Sequence, residues 1–173
     1  MRMLLFMPSK DFSDESVAMV RLFFDRWGVA YDIASYGKAD ECRGSHGAVH
    51  ERDADMARVA VGNYDGIVLC DGEGIEAQRL YEYRPLLDAV LILNGRGRHI
   101  IAIGNAVKIL ARANVIKGRR IATDGAENEN MVLLFHGTPS PRELEISGNI
   151  ITMRGARSIE HSMERVLKHM NVA

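Results

Sequence analysis

Apolar and polar positions fall into blocks that set a strand-then-helix rhythm from the start of the chain. Leu4 to Met7 is a short apolar run and predicts a buried first strand. Ser13 or Asp14 is placed to cap the next helix. In that helix Val17, Val20, Phe24 and Trp27 recur at helical spacing until Gly28 stops it. Val29 to Ser35 predicts a second strand. The stretch from Gly37 to Glu51 is polar and glycine-containing and predicts an excursion or hairpin. Asp53 is placed to open a short helix through Val59. Gly66 to Leu69 is continuously apolar, the mark of a strand covered on both faces. Tyr83 to Leu93 predicts a helix ended by Asn94-Gly95. Ile100 to Ile103 then reads as a buried strand, turned abruptly by Gly104-Asn105-Ala106 into the apolar helix Val107 to Ala111.

After Gly118 the blocks shorten. Arg120 to Thr123, Val132 to Phe135, Leu144 to Ile146 and Ile150 to Met153 read as short strands, the last two joined as a hairpin by Ser147-Gly148-Asn149. Ile159, Met163, Val166, Leu167 and Met170 lie on one face of a closing amphipathic helix. Alternating strands and helices predict an α/β fold: a helix–sheet–helix sandwich with a mostly parallel central sheet and an antiparallel margin. With no internal repeat or linker in the sequence, a single domain over residues 1–173 is expected.

Composition narrows the classes. Of 173 residues, 47% are hydrophobic and 26% charged, ordinary for a globular protein. A formal net charge of -1 gives no electrostatic case for nucleic acid or an anionic membrane as partner. The apolar runs fall short of a membrane span, and Met1 to Met7 is too short for a signal peptide. The expected compartment is the cytoplasm. Two cysteines, Cys42 and Cys70, make neither a disulfide scaffold nor a metal cluster. Gly72-Glu73-Gly74 and Gly95-Arg96-Gly97 lack the strand–glycine–helix pattern of a phosphate loop. No metal or cofactor is expected.

Tyr64 to Leu69, the hinge at Gly104 and the run Ile109 to Thr123 together resemble the DJ-1/PfpI family, also called ThiJ/PfpI, of the class I glutamine amidotransferase-like superfamily. Ser45-His46-Gly47 followed by Asp53, and Gly148 to Gly155, are similar to further family motifs in the same order. The resemblance implies a flavodoxin-like fold and a homodimer or higher homo-oligomer. It also implies a cysteine nucleophile in an Ala-Ile-Cys turn, where this chain has Ala102-Ile103-Gly104. The following family histidine is matched by Asn105, and the glutamate of the first helix by Ser16, with Glu15 adjacent. A histidine found in some members is matched by Asp124, and the family's Pro-Gly-Gly turn by Cys70-Asp71-Gly72.

A nucleophile elbow strains its central residue, often at positive φ, which costs a residue with a Cβ about 1–3 kcal/mol. Glycine takes that backbone at little cost, so Gly104 is expected to keep the positive φ while supplying no sulfur. The helix starting at Asn105 is expected either to aim amides at a ligand or to be capped and buried. Ligand-binding candidates are Glu15, Asp71, Gly72, Gly104 and Asn105.

Competing constellations each have a plain structural reading. Cys70 ends the central strand, where a thiol can be activated or simply buried, with Asp71 and Glu73 raising its pKa. Cys42 is expected in surface or interface packing. Asp14, Glu15, Asp71, Glu73 and Asp124 form an acidic set able to bind magnesium or calcium if they converge, and each otherwise explained by capping or solvation. His46 and His50 are four apart, but Gly44 and Gly47 oppose a helix there, so a surface or interface role is expected. The expected function is therefore a DJ-1/PfpI-like protein without the family's cysteine chemistry, binding a small molecule or assembling. The alternative is a hydrolase, deglycase or glyoxalase-like enzyme whose chemistry has moved to Cys70 or to acidic pocket residues.

Overall fold

The computed structural model describes residues 1–172. In chain order the strands and helices are β1 (Arg2–Phe6), β2 (Lys10–Phe12), α1 (Asp14–Trp27), β3 (Ala30–Ser35), β4 (Glu41–Gly44), β5 (Val49–Glu51), β6 (Ala54–Asp55) and β7 (Gly66–Leu69). There follow α2 (Glu73–Ala77), α3 (Arg84–Gly95), β8 (His99–Ile103), α4 (Val107–Arg112), β9 (Arg120–Ala122) and α5 (Ala126–Leu134). The chain closes with β10 (Thr138–Ser140), β11 (Leu144–Ser147), β12 (Ile150–Met153) and α6 (Ala156–His169).

The main sheet has seven strands in the order β11-β12-β8-β7-β1-β3-β6. Every neighbouring pair is parallel except β11 with β12, which supplies the antiparallel margin. Period-two alternation divides each central strand between two apolar layers. Leu4, Phe6, Ile67, Leu69, Ile100 and Ala102 face the layer under α3 and α4, with Leu86, Val90, Leu93 and Ile109. Met3, Leu5, Val68, Ile101, Ile103 and Ile151 face the layer under α1 and α6, with Val17, Val20, Phe24, Ile159 and Met163. Both faces are covered, which is why these strands read as unbroken apolar runs. Each of the Val, Leu, Ile, Phe and Met side chains, once buried, contributes about 1.5–3 kcal/mol.

Helix α1 starts where expected. The Ser13 hydroxyl accepts from the Ser16 amide at 3.3 Å, Asp14 and Glu15 complement the helix dipole, and Gly28 ends the helix at φ 66°. The expected excursion is the antiparallel hairpin β4–β5, which joins β2 in a separate three-stranded sheet.

Three expectations are corrected. Residues 53–59 form no helix: the Asp53 carboxylate accepts the Ile33 amide at 2.8 Å, and β6 pairs with β3 before a turn at Asp55. Val132 to Phe135 is not a strand but mostly the last turn of α5, since a four-residue apolar run does not distinguish the two by periodicity. Cys42 does not pack at the surface; it is fully buried on β4 against the α1 layer. The short elements β2, β10 and α2 carry no periodic signal in the sequence. Among the described residues no helix is long and apolar enough to cross a membrane.

Candidate functional site

The carboxyl ends of β1, β7, β8 and β12 meet at one edge of the sheet, the edge at which open α/β sheets hold ligands. Strand β8 leads into a single 3-10 turn, Gly104–Ala106, and then α4. Gly104 is buried with φ +53°, as the elbow requires. A Cβ built there would lie 2.7 Å from Asp71 Oδ2, 3.0 Å from Asp71 Cβ and 3.1 Å from its Cγ. The space that an elbow side chain would need is filled by the Asp71 carboxyl.

Asp71 is placed by the segment after β7. Its carbonyl accepts the Ser13 amide at 2.8 Å, tying this segment to the start of α1. Gly72, at φ +147°, packs against the backbone of residues 11–13 so closely that a Cβ built there would lie 2.7 Å from Phe12 Cα, which leaves room for glycine alone. Asn105 fixes the other side. Its Nδ2 donates to the Gly72 carbonyl at 2.8 Å, and its Oδ1 accepts the Gly72 amide at 3.2 Å. A side chain thus pairs with a backbone unit in both directions, clamping the elbow to the β7 loop. Both polar atoms of the Asn105 side chain are engaged in this clamp.

Burial pushes the Asp71 carboxyl above its ordinary pKa, and Glu15 adds to the rise, while the Ser16 hydroxyl and the residue's own amide oppose it. Asp71 Oδ1 is buried with no hydrogen-bond partner. Ser16 is fully buried in the first turn of α1, its hydroxyl accepting from Ser13 at 3.1 Å.

Cys70 is fully buried in the α1–α6 layer. Burial, then the Asp71 charge, raises its thiol well above the ordinary value, so it is not poised as a thiolate. Burial likewise raises Cys42, against a hydrogen bond with Ser35 and the charge of Arg52.

The acidic set converges only in part. Asp14, Glu15 and Glu73 share a recess of about 250 Å³ with Ser45, His46 and Gly72. Glu15 also borders a recess of about 370 Å³, where Asp124 and Glu143 face Arg154 and the first turn of α6. Asp71 lies beneath the elbow, and Asp124 is paired with Arg154 Nη2 at 2.8 Å. Asp14 Oδ2 accepts the His46 amide at 2.5 Å, which holds the loop after β4 over the start of α1. His50 lies on β5, stacked on Phe12 with ring centroids 5.5 Å apart, while His46 is exposed, so the two do not share a helix face. Among the described residues no three His, Cys, Asp or Glu side chains are grouped to hold a metal.

Two roles are not legible in the sequence alone. Arg154 faces Asp124, and its advance signals are its place in the run Gly148 to Gly155 and its position just after a parallel strand on the ligand-holding edge. The steric role of Asp71 could be foreseen only by placing it over Gly104, 33 residues away.

The chain matches the DJ-1/PfpI family model over residues 1–169. It is 26% identical over 154 residues to an uncharacterized protein of Methanocaldococcus jannaschii, covering 88% of this chain and 74% of that one. Its fold superposes on a ThiJ/PfpI domain protein of Brachyspira murdochii with a TM-score of 0.91, at 20% identity and covering 99% and 97% of the two chains. With DJ-1beta of Drosophila melanogaster the TM-score is 0.80, at 20% identity and 99% and 98% coverage. The match over nearly the whole length, with the elbow and both apolar layers in place, makes this chain a member of the DJ-1/PfpI family.

Proposed function

We propose that this protein is a family member without cysteine catalysis, and that it binds a small polar molecule in the recesses around Glu15. One observation carries the reading: the Asp71 carboxyl occupies the volume that a side chain at position 104 would fill. The exchange is reciprocal. The turn that resembles Pro-Gly-Gly has gained a side chain at Asp71, and the elbow has lost one at Gly104. Cys70 is no substitute, being buried and held in the thiol form. Glu15, Asp124 and Arg154 provide charged groups for a polar ligand at the open edge. Family membership further supports a homodimer acting in the cytoplasm, which native mass spectrometry and fractionation test.

A second reading is favoured by Asp71 itself. A buried carboxyl with a raised pKa beside the exposed Glu15 is suited to proton transfer, so acid–base chemistry at this pair is the alternative. Peptide hydrolysis and methylglyoxal consumption by the wild type, by Cys42→Ser/Cys70→Ser and by Asp71→Asn separate the readings. The first predicts no turnover in any of them. Turnover abolished only in Asp71→Asn establishes the second, and turnover lost with the cysteines overturns both.

A further inference from the structure

Lys108 lies one residue into α4, away from the sheet edge just described, with its side chain only 6% exposed. An ammonium that deep requires compensation. Its Nζ donates to Glu76 Oε2 at 2.9 Å and lies 5.9 Å from the Tyr81 ring centre. The Tyr81 hydroxyl donates to the other Glu76 oxygen at 2.8 Å. Both Glu76 oxygens are engaged, and Lys108 with Glu76 forms a neutral unit.

Glu127 is held differently. It contacts Lys108 Nζ at 3.4 Å and is 86% exposed. Its carboxylate is therefore surplus to the needs of the lysine. These groups border a recess of about 290 Å³ between α2, α4 and α5, completed by Asn130, Met131 and Leu134. One wall is apolar, and Leu134 is left 69% exposed at the rim, next to Leu133 at 59%. The two leucines extend the apolar wall into an exposed rim.

The lining charges leave one negative charge in excess: Glu76 and Glu127 against Lys108. An anion would have to displace Glu127 against its repulsion, and a neutral apolar molecule would leave that carboxylate unused. A cation with an apolar body satisfies both walls. At a liquid-like volume of about 30 Å³ per water-sized group, the recess admits about ten non-hydrogen atoms. We propose that this recess binds a small amphipathic organic ammonium, its charged head on Glu127 and its hydrocarbon against Tyr81, Met131 and Leu134. The site is separate from the elbow and does not depend on how the elbow functions.

Titration of the 15N-labelled protein with hexylammonium, followed by amide shifts, tests this, with hexanol and hexanoate as controls. Saturable shifts are expected in residues 127–134 and around Tyr81. Glu127→Gln, at a position too exposed to threaten folding, is expected to weaken binding about tenfold, and Leu134→Ser to weaken it severalfold. Hexanol or hexanoate binding as well as the amine, an affinity untouched by Glu127→Gln, or no saturable shift in this segment would each overturn the proposal.

Discussion

Placing a methyl group on Gly104 tests the elbow most sharply. Gly104→Ala keeps the chain length and adds one atom at φ +53°, a left-handed backbone that costs a residue with a Cβ about 1–2 kcal/mol. The new atom would also stand 2.7 Å from Asp71 Oδ2 and 3.0 Å from Asp71 Cβ. Rotating the carboxyl away relieves the first contact but not the second. Overpacking of this kind adds about 1–3 kcal/mol, so the total expected loss is about 2–5 kcal/mol. Removing the opposing side chain separates the two parts. In an Asp71→Gly background the alanine should cost only the backbone strain, about 1–2 kcal/mol. The double-mutant cycle should then give a coupling of about 1–3 kcal/mol, and the glycine's own entropy cost cancels within it. Urea unfolding of the four proteins measures these quantities. An alanine that costs the same in both backgrounds would refute the claim that Asp71 fills the elbow.

Three further outcomes follow from the same geometry. Asp71→Asn should stabilise the protein at pH 7–8 and do so less as pH falls. With a raised folded-state pKa the native carboxyl binds more protons than the unfolded one, so its contribution is present below the unfolded value and lost as pH rises through the folded one. Urea midpoints that differ by the same amount at every pH would contradict this. Asn105→Ala should lose about 1–3 kcal/mol through the two bonds to Gly72, whereas a side chain reserved for a ligand would be replaced at little cost to thermal stability. His99 stands with its ring centre 6.5 Å from that of His169, its Nδ1 buried without a partner, and burial then His169 lower its pKa. The unfolded chain therefore binds the extra proton first, and stability should fall as pH drops below about 6.5 and on through the lower folded value. His99→Phe should flatten that fall, and an unchanged acid limb would count against it.

Much of the framework is legible in the sequence because it rests on local rules. Gly66 to Leu69 is a strand because both faces are covered, and Ser13 and Gly28 bracket α1 because each supplies a specific cap. Gly104 at positive φ follows from the abruptness of its turn. Sequence and structure part where tertiary contacts decide. Asp53 could cap a helix or hold a strand edge, and only the nearby Ile33 amide selects the second. Val132 to Leu134 suits a helix or a strand equally, and α5 takes the first because Val132 packs against the layer containing Ile116 and Ile121. Cys42 sits in a polar stretch whose inward face exists only once β4 pairs with β2 and β5. The site was half visible. The missing sulfur can be read directly at position 104, but the carboxyl that replaces it, and the Asn105 clamp around it, depend on segments brought together from 33 residues apart.

Intact-mass measurement of iodoacetamide alkylation at pH 7 bears most directly on the central claim, that a carboxyl has taken the nucleophile's place. The folded wild type should stay unmodified over hours, and Gly104→Cys/Asp71→Gly should take up one label rapidly, because a thiol at the elbow then has both space and a helix end beside it. Rapid labelling of the native wild type, or a double variant whose new thiol is as inert as Cys70, would contradict the account.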